Sequence, residues 1–151
     1  MSLNAQTMLN VQRTRHSHEQ EEVQLPRIVM LTYLAAGWTA PVLYFLLESY
    51  KAAAFSTSAF IVSAVAICGV CAAHSWCRII LGIVWLATSL LGVIYVLHIL
   101  PAIPTHSATL VPPGFAKFWL GLTNLGSFVA AMIVLIHPKM RKAARQGFKL
   151  W

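Results

Sequence analysis

The sequence predicts an all-α integral membrane protein: an antiparallel bundle of four transmembrane helices with both termini in the cytoplasm. Three observations predict it. Of 151 residues, 58% are hydrophobic and only 10% are charged, against roughly 25% charged in an average soluble domain. A soluble chain of this length could not bury so much apolar surface. Between Ile28 and Ile136 the charged residues are Glu48, Lys51, Arg78 and Lys117, each at a break in the apolar pattern. The stretches between the breaks are about 20 residues long, the length a helix needs to cross a hydrocarbon core of about 30 Å. Barrel strands would be shorter and would alternate polar with apolar residues, which these segments do not.

Residues 1–27 form a polar leader, expected to be disordered or a loose surface helix. Its "HSHEQEE" run reads as solvated charge. It lacks the apolar core of a cleavable signal, so the first span is expected to act as the insertion signal. That span is residues 28–47, with a kink from Pro41, which has no backbone N–H to donate. "ESYK" leads to span two, residues 52–73, and "HSWCR" leads to span three, residues 79–100. Links this short force neighbouring spans antiparallel. The third connection, "PAIPTHSATLVPPGFAK" at residues 101–117, has four prolines and no acid. It is expected to be a non-helical connector resting on the outer helix ends. Span four is residues 118–136, and a basic tail closes the chain at 138–151.

Lysine and arginine set the orientation. Arg13, Arg15, Arg27, Arg78, Lys139, Arg141, Lys142, Arg145 and Lys149 share one side, whereas Lys51 and Lys117 lie on the other. The positive-inside rule then places both termini in the cytoplasm, with a bacterial inner membrane as the expected location. The net charge of +7 is thereby accounted for without nucleic acid. The expected lipid partners include anionic headgroups at Lys139, Arg141, Lys142, Arg145 and Lys149, each basic residue adding about 1 kcal/mol near such a surface.

Within the spans, small residues four apart mark packing or partner faces, because close backbone approach drives helix association in lipid. Thr123, Ser127 and Ala131 form one ridge of span four, with Asn124, Gly126 and Ala130 beside it. Ala64, Cys68 and Ala72 form a ridge of span two, and Gly82, Ser89 and Gly92 lie on nearby faces of span three. Asn124 is the least comfortable polar group and is expected to donate across the bundle. No ionisable acid or base lies at mid-membrane, where coupled transporters usually keep one. Glu48 and His98, each one turn after a tyrosine (Tyr44 and Tyr95), could line a polar, pH-sensitive pocket near the outer boundary.

Every cysteine falls in "CGVCAAHSWC". Cys68, Cys71, His74 and Cys77 recur every third residue. A C-x-x-C pair in a four-span protein resembles, in general form, the quinone-linked thiol oxidoreductases of the vitamin K epoxide reductase type. Those proteins present their key pair on the outer side and add a second pair, whereas here the pair lies toward the cytoplasmic end and only Cys77 remains. On a continuous helix each three-residue step turns the side chain back by about 60°, so Cys68 and Cys77 would face opposite ways. One ion could reach all four only if the helix stopped near Ala73. Small-residue packing and an interfacial turn are the expected roles.

Other chemistry finds no foothold. Aspartate is absent, and paired carboxylates, phosphate-binding glycine loops and H-E-x-x-H are missing. His74 and His137 are boundary residues rather than a haem pair, and no cofactor is expected. The expected role is protein–protein contact within the bilayer, such as an immunity protein against a membrane-inserting toxin or an accessory subunit, with self-association possible. The alternatives are an oligomeric transporter or channel subunit for a small uncharged solute, and a thiol-redox or metal protein using residues 68–77.

Overall fold

The computed structural model describes residues 23–99 and 112–150, and these are helical with no strand among them. The leader through residue 22, most of the proline-rich connection (100–111) and Trp151 lie outside the described residues, as do His16 and His18. Four helices are long and apolar enough to cross a membrane: Val23–Leu46, Tyr50–Cys71, Ser75–His98 and Gly114–Ile136.

The first span is broken into α1 (residues 23–36) and α2 (Thr39–Leu46) by a turn at Gly37 and Trp38. Pro41 explains the position. Its ring clashes with the carbonyl four residues back, that of Gly37. The freed Ala36 carbonyl accepts from Thr39 Oγ1 at 2.6 Å. The same hydroxyl accepts from Trp119 Nε1 at 3.2 Å, tying the break to the fourth span.

The remaining helices are α3 (Tyr50–Cys71), α4 (Ser75–Ile94), a π-helical extension of α4 (Tyr95–Ile99), α5 (Pro113–Ile136) and α6 (Pro138–Gln146). The connections flanking α3 are tighter than the sequence suggests. Glu48 at φ 58° and Ala73 at φ 64° make the turns, and α4 already starts at Ser75. Residues 113–117, expected to be loop, are instead the first turn of α5. Proline is tolerated at a first helical position because that N–H has no intrahelical partner to lose.

α4 is the central helix. It packs on both α3 and α5 and touches α6, and its span is 33% buried against 17% for the first and fourth. Small residues permit this. Cys77 lies directly over Gly69 of α3, and Leu135 of α5 lies over Gly82.

Two apolar cores form. One gathers Met30, Ile67, Val70, Leu81, Trp85 and Val134 with Met140 and Leu150 of the tail. The other gathers Leu43, Leu47, Ala53, Tyr95, Ala116 and Leu120. Their members alternate in chain order, the first core coming early in spans one and three and late in spans two and four.

The first core is organised by Ser63 of α3, fully buried. Its hydroxyl donates to the Ala59 carbonyl at 2.7 Å. It accepts from Trp85 Nε1 at 3.0 Å and from Tyr33 Oη at 3.2 Å. One donor and two acceptor positions are all a serine hydroxyl has, and all are used. The Tyr33 and Trp85 rings stack with centroids 4.2 Å apart, so three spans meet at one oxygen.

The apolar residues of the tail pack against the bundle. Met140, Ala143 and Ala144 are buried where α6 packs on α3, α4 and α5. Gly147, at φ 71°, brings the chain so close that a Cβ would sit 2.7 Å from the Cys71 carbonyl. That carbonyl accepts from Phe148 N at 3.2 Å. Arg27 donates twice to the Lys149 carbonyl, at 2.8 and 3.2 Å. Arg78 Nη1 donates to the carbonyls of Val134 and Leu135 at 2.8 and 2.7 Å, among the last carbonyls of α5, which have no intrahelical donor and favour a cation. Lys139, Arg141, Lys142, Arg145 and Lys149 face outward.

Replacing Ser63 by alanine strands the Trp85 N–H and the Tyr33 hydroxyl. The expected loss is about 1–3 kcal/mol per stranded donor, read as an unfolding midpoint in mild detergent. Ser63→Thr, which keeps the hydroxyl, is expected to retain most of the stability.

Candidate functional site

Between the two cores lies a cavity of about 320 Å³, at the lower end of the range for small-molecule pockets. Every span contributes to its wall. The broken first span supplies Tyr33, Ala36, Gly37, Ala40 and Tyr44. α3 supplies Lys51, Ala52, Phe55, Ser56 and Ala59. α4 and its extension supply Thr88, Leu91, Gly92, Ile94 and Tyr95, and α5 supplies Thr123, Asn124 and Ser127.

Local backbone irregularities shape this wall. At the Gly37 turn a Cβ would sit 2.6 Å from the Tyr33 carbonyl and 3.2 Å from the Phe60 ring. A side chain at this position would collide, so glycine permits the bend that Pro41 positions. The π-helical segment begins at Tyr95. Widening a helix by one residue rotates the downstream side chains by about 100°, and such segments recur at functional sites. Tyr95 is buried at the cavity, while Leu97 and His98 beyond it are exposed. Tyr95 meets Tyr44 edge to face, with ring centroids 4.8 Å apart.

Three polar groups of the wall are engaged by neighbouring groups. Tyr33 donates to Ser63, Thr88 to the Trp85 carbonyl at 3.0 Å, and Thr123 to the Leu120 carbonyl at 3.1 Å. The Tyr95 hydroxyl is instead buried without a hydrogen-bond partner. Asn124 does reach across the bundle, its side chain hydrogen-bonding with Tyr44 of the first span. Its backbone carbonyl accepts from Ser89 Oγ at 2.8 Å, and its carboxamide is pressed against Gly92, where any Cβ would collide with it. A buried polar group left unpaired costs about 1–3 kcal/mol, so the Tyr95 hydroxyl is a feature to be explained.

The structure brings together only part of the set expected near the outer boundary. Tyr44 and Tyr95 share the cavity, whereas Glu48 and His98 are exposed and do not line it. On α5, Thr123 and Ser127 line the cavity, Ala131 is fully buried and Ala130 is half-buried. Gly126 faces open space. On α3 the buried face runs through Ala59, Ser63, Ala66, Ile67 and Val70, so Cys68 and Ala72 are exposed and Ala64 is half-buried. The helix does stop at Cys71, as a metal site would require. Even so, Cys77 is buried over Gly69 while Cys68 is exposed. Among the described residues no three His, Cys, Asp or Glu side chains come together to hold an ion. His74 and His137 cap the N-termini of α4 and α6, and His137 Nδ1 accepts from the Lys139 amide at 3.2 Å.

Sequence reasoning missed Gly37, Ser56, Ala59 and Thr88 as wall residues. A glycine four residues before a proline inside an apolar span was the signal that could have found the bend.

The makeup is that of a helical membrane protein with a half-open cavity lined by four candidate spans. No protein-family model matches the chain, and no curated protein or solved structure is significantly similar to it.

Room at the wall is directly testable by adding bulk. Ala59→Phe projects into the cavity and is expected to lower stability by less than about 1 kcal/mol. Ala66→Phe, on the same helix but in the closed core, is expected to lower it by about 1–3 kcal/mol. Thermal unfolding of both variants in one detergent makes the comparison.

Proposed function

We propose that the protein is an antiparallel four-span bundle that binds a small uncharged molecule between its spans and serves as a carrier subunit for it. The observation that carries this reading is the cavity itself, walled by all four spans and held between two packed cores. The alternation of the cores along the chain supports the antiparallel order. The chemistry of the wall supports an uncharged ligand. It holds no acid, and its single ionisable cation, Lys51, is exposed. The excess of Lys and Arg in the leader, the second turn and the tail supports cytoplasmic termini in a bacterial inner membrane. The outward basic residues of α6 and Lys149 suit anionic headgroups.

A second reading, contact with another membrane protein as an immunity or accessory factor or with a second copy, is favoured by the outer side of α5. There Gly114, Gly121 and Gly126 have nothing within 4 Å of their Cβ positions, which leaves space for close approach of a helix.

Liposomes containing the protein are expected to equilibrate small neutral solutes such as glycerol or urea faster than empty liposomes, by light scattering. Ala59→Phe is expected to remove the acceleration. Equal rates with and without protein across such a panel contradict the carrier reading. Co-purification of a membrane protein from mild detergent, lost in Gly121→Leu, would favour the second one. External labelling of a cysteine placed at Arg141 by a membrane-impermeant reagent contradicts the orientation.

A further inference from the structure

We infer that Arg78, Arg141 and Arg145 form one binding site for a phosphate group, filled by the phosphomonoester headgroup of a membrane lipid. The inference is independent of the cavity. It rests on the reading of α6 as a headgroup-level helix and sharpens that reading from general attraction to a defined site.

The three side chains come from two elements. Arg78 is in the first turn of α4, and Arg141 and Arg145 are four apart on α6, hence on one face of it. Packing holds the two elements together. Cys77, the residue before Arg78, shares a buried core with Met140 and Ala144, the residues before Arg141 and Arg145. The charges of Arg141 and Arg145 act on the Arg78 guanidinium. Arg78 is fixed by its Nη1, which donates to the Val134 and Leu135 carbonyls. A guanidinium has five N–H donors, so these bonds do not consume Nε or Nη2. Arg78 is half-buried, and Arg141 and Arg145 are exposed, so an anion can reach all three.

Three cations thus share one corner of the molecule. The one acid among the described residues, Glu48, lies at the opposite end of α3. Like charges repel one another, and an anion between them relieves the repulsion. Phosphate suits these cations best, because the planar guanidinium fork matches its oxygens two at a time. A phosphomonoester carries about −1.5 to −2 charges at neutral pH, whereas a phosphodiester carries one. The depth also fits a lipid headgroup. The corner lies where the second and fourth spans end and the third begins. Trp76, two residues before Arg78, is 58% exposed there, and tryptophan is enriched at the membrane–water interface.

The probes are dihexanoyl phosphatidic acid, dihexanoyl phosphatidylglycerol and inorganic phosphate, titrated calorimetrically into the full chain in an uncharged maltoside detergent. Phosphatidic acid is expected to bind about tenfold more tightly than phosphatidylglycerol. Arg141→Gln and Arg145→Gln, at exposed positions, are each expected to lower phosphatidic acid affinity about tenfold. Lys139→Gln and Lys149→Gln remove the same charge outside the cluster and are expected to lower it less than about twofold. Arg78→Lys keeps the charge but loses the fork, and is expected to lower it about tenfold. Its unfolding midpoint is read alongside, and if that falls the two α6 variants carry the test. Equal affinity for the two lipids, or equal weakening by all four Gln variants, overturns the site and leaves general attraction to anionic surfaces. Inorganic phosphate binding as tightly as phosphatidic acid overturns the lipid assignment. Failure of either lipid to bind at all overturns the headgroup reading of α6 as well.

Discussion

The structure depends on one oxygen atom. Ser63 Oγ receives the Trp85 N–H and the Tyr33 O–H and gives its own proton to the Ala59 carbonyl. In lipid there is little hydrophobic drive between helices, so packing and interhelical hydrogen bonds do the joining. This junction supplies both. It fixes the registers of the first, second and third spans and stacks Tyr33 on Trp85, which is wholly buried. The tightly packed half of the molecule extends from it toward α6, where Arg27 and Arg78 hold exposed carbonyl ends.

The other half is built from irregularities. Pro41 and Gly37 break the first span, the α4 extension widens at Tyr95, and Gly92 admits the Asn124 side chain. Each departs from regular helix packing beside the cavity. Strain and unpaired groups in a stable fold concentrate where function constrains the chain. Here the constraint falls on the turn at Gly37 and the π-helical segment beginning at Tyr95, both of which line the cavity.

Much of the architecture was legible in the sequence because apolar run length is a direct physical requirement for crossing a bilayer. All four spans could be placed this way. Their ends were less legible, since Pro113 begins a helix rather than preceding one and two non-glycine residues adopt left-handed turns. The faces were harder still. The small-residue rule pointed to Ala64, Cys68 and Ala72, but the rotation of α3 about its axis is decided by Ser63 finding Trp85 and Tyr33, which are distant in sequence. Tyr44 and Tyr95 were legible as pocket residues because of their depth. Glu48 and His98 were grouped with them by the same logic, yet a left-handed turn exposes the first and the π-helical segment exposes the second. The tail read as a basic segment, and only the tertiary structure reveals that Met140, Ala143 and Ala144 are buried in the protein.

A small neutral molecule held in a defined space between the spans would touch a particular set of alanine methyls. Ala36, Ala40, Ala52 and Ala59 line the cavity, Ala66, Ala131 and Ala144 lie in the closed core, and Ala54 and Ala72 are on the outside. The decisive measurement is the set of nuclear Overhauser effects from a small neutral solute such as glycerol to ¹³C-labelled alanine methyls of the protein in deuterated detergent. Strong effects to the first group and none to the core group are expected. Effects confined to Ala54 and Ala72 would place the ligand in the detergent, outside the bundle, and contradict a ligand-filled cavity.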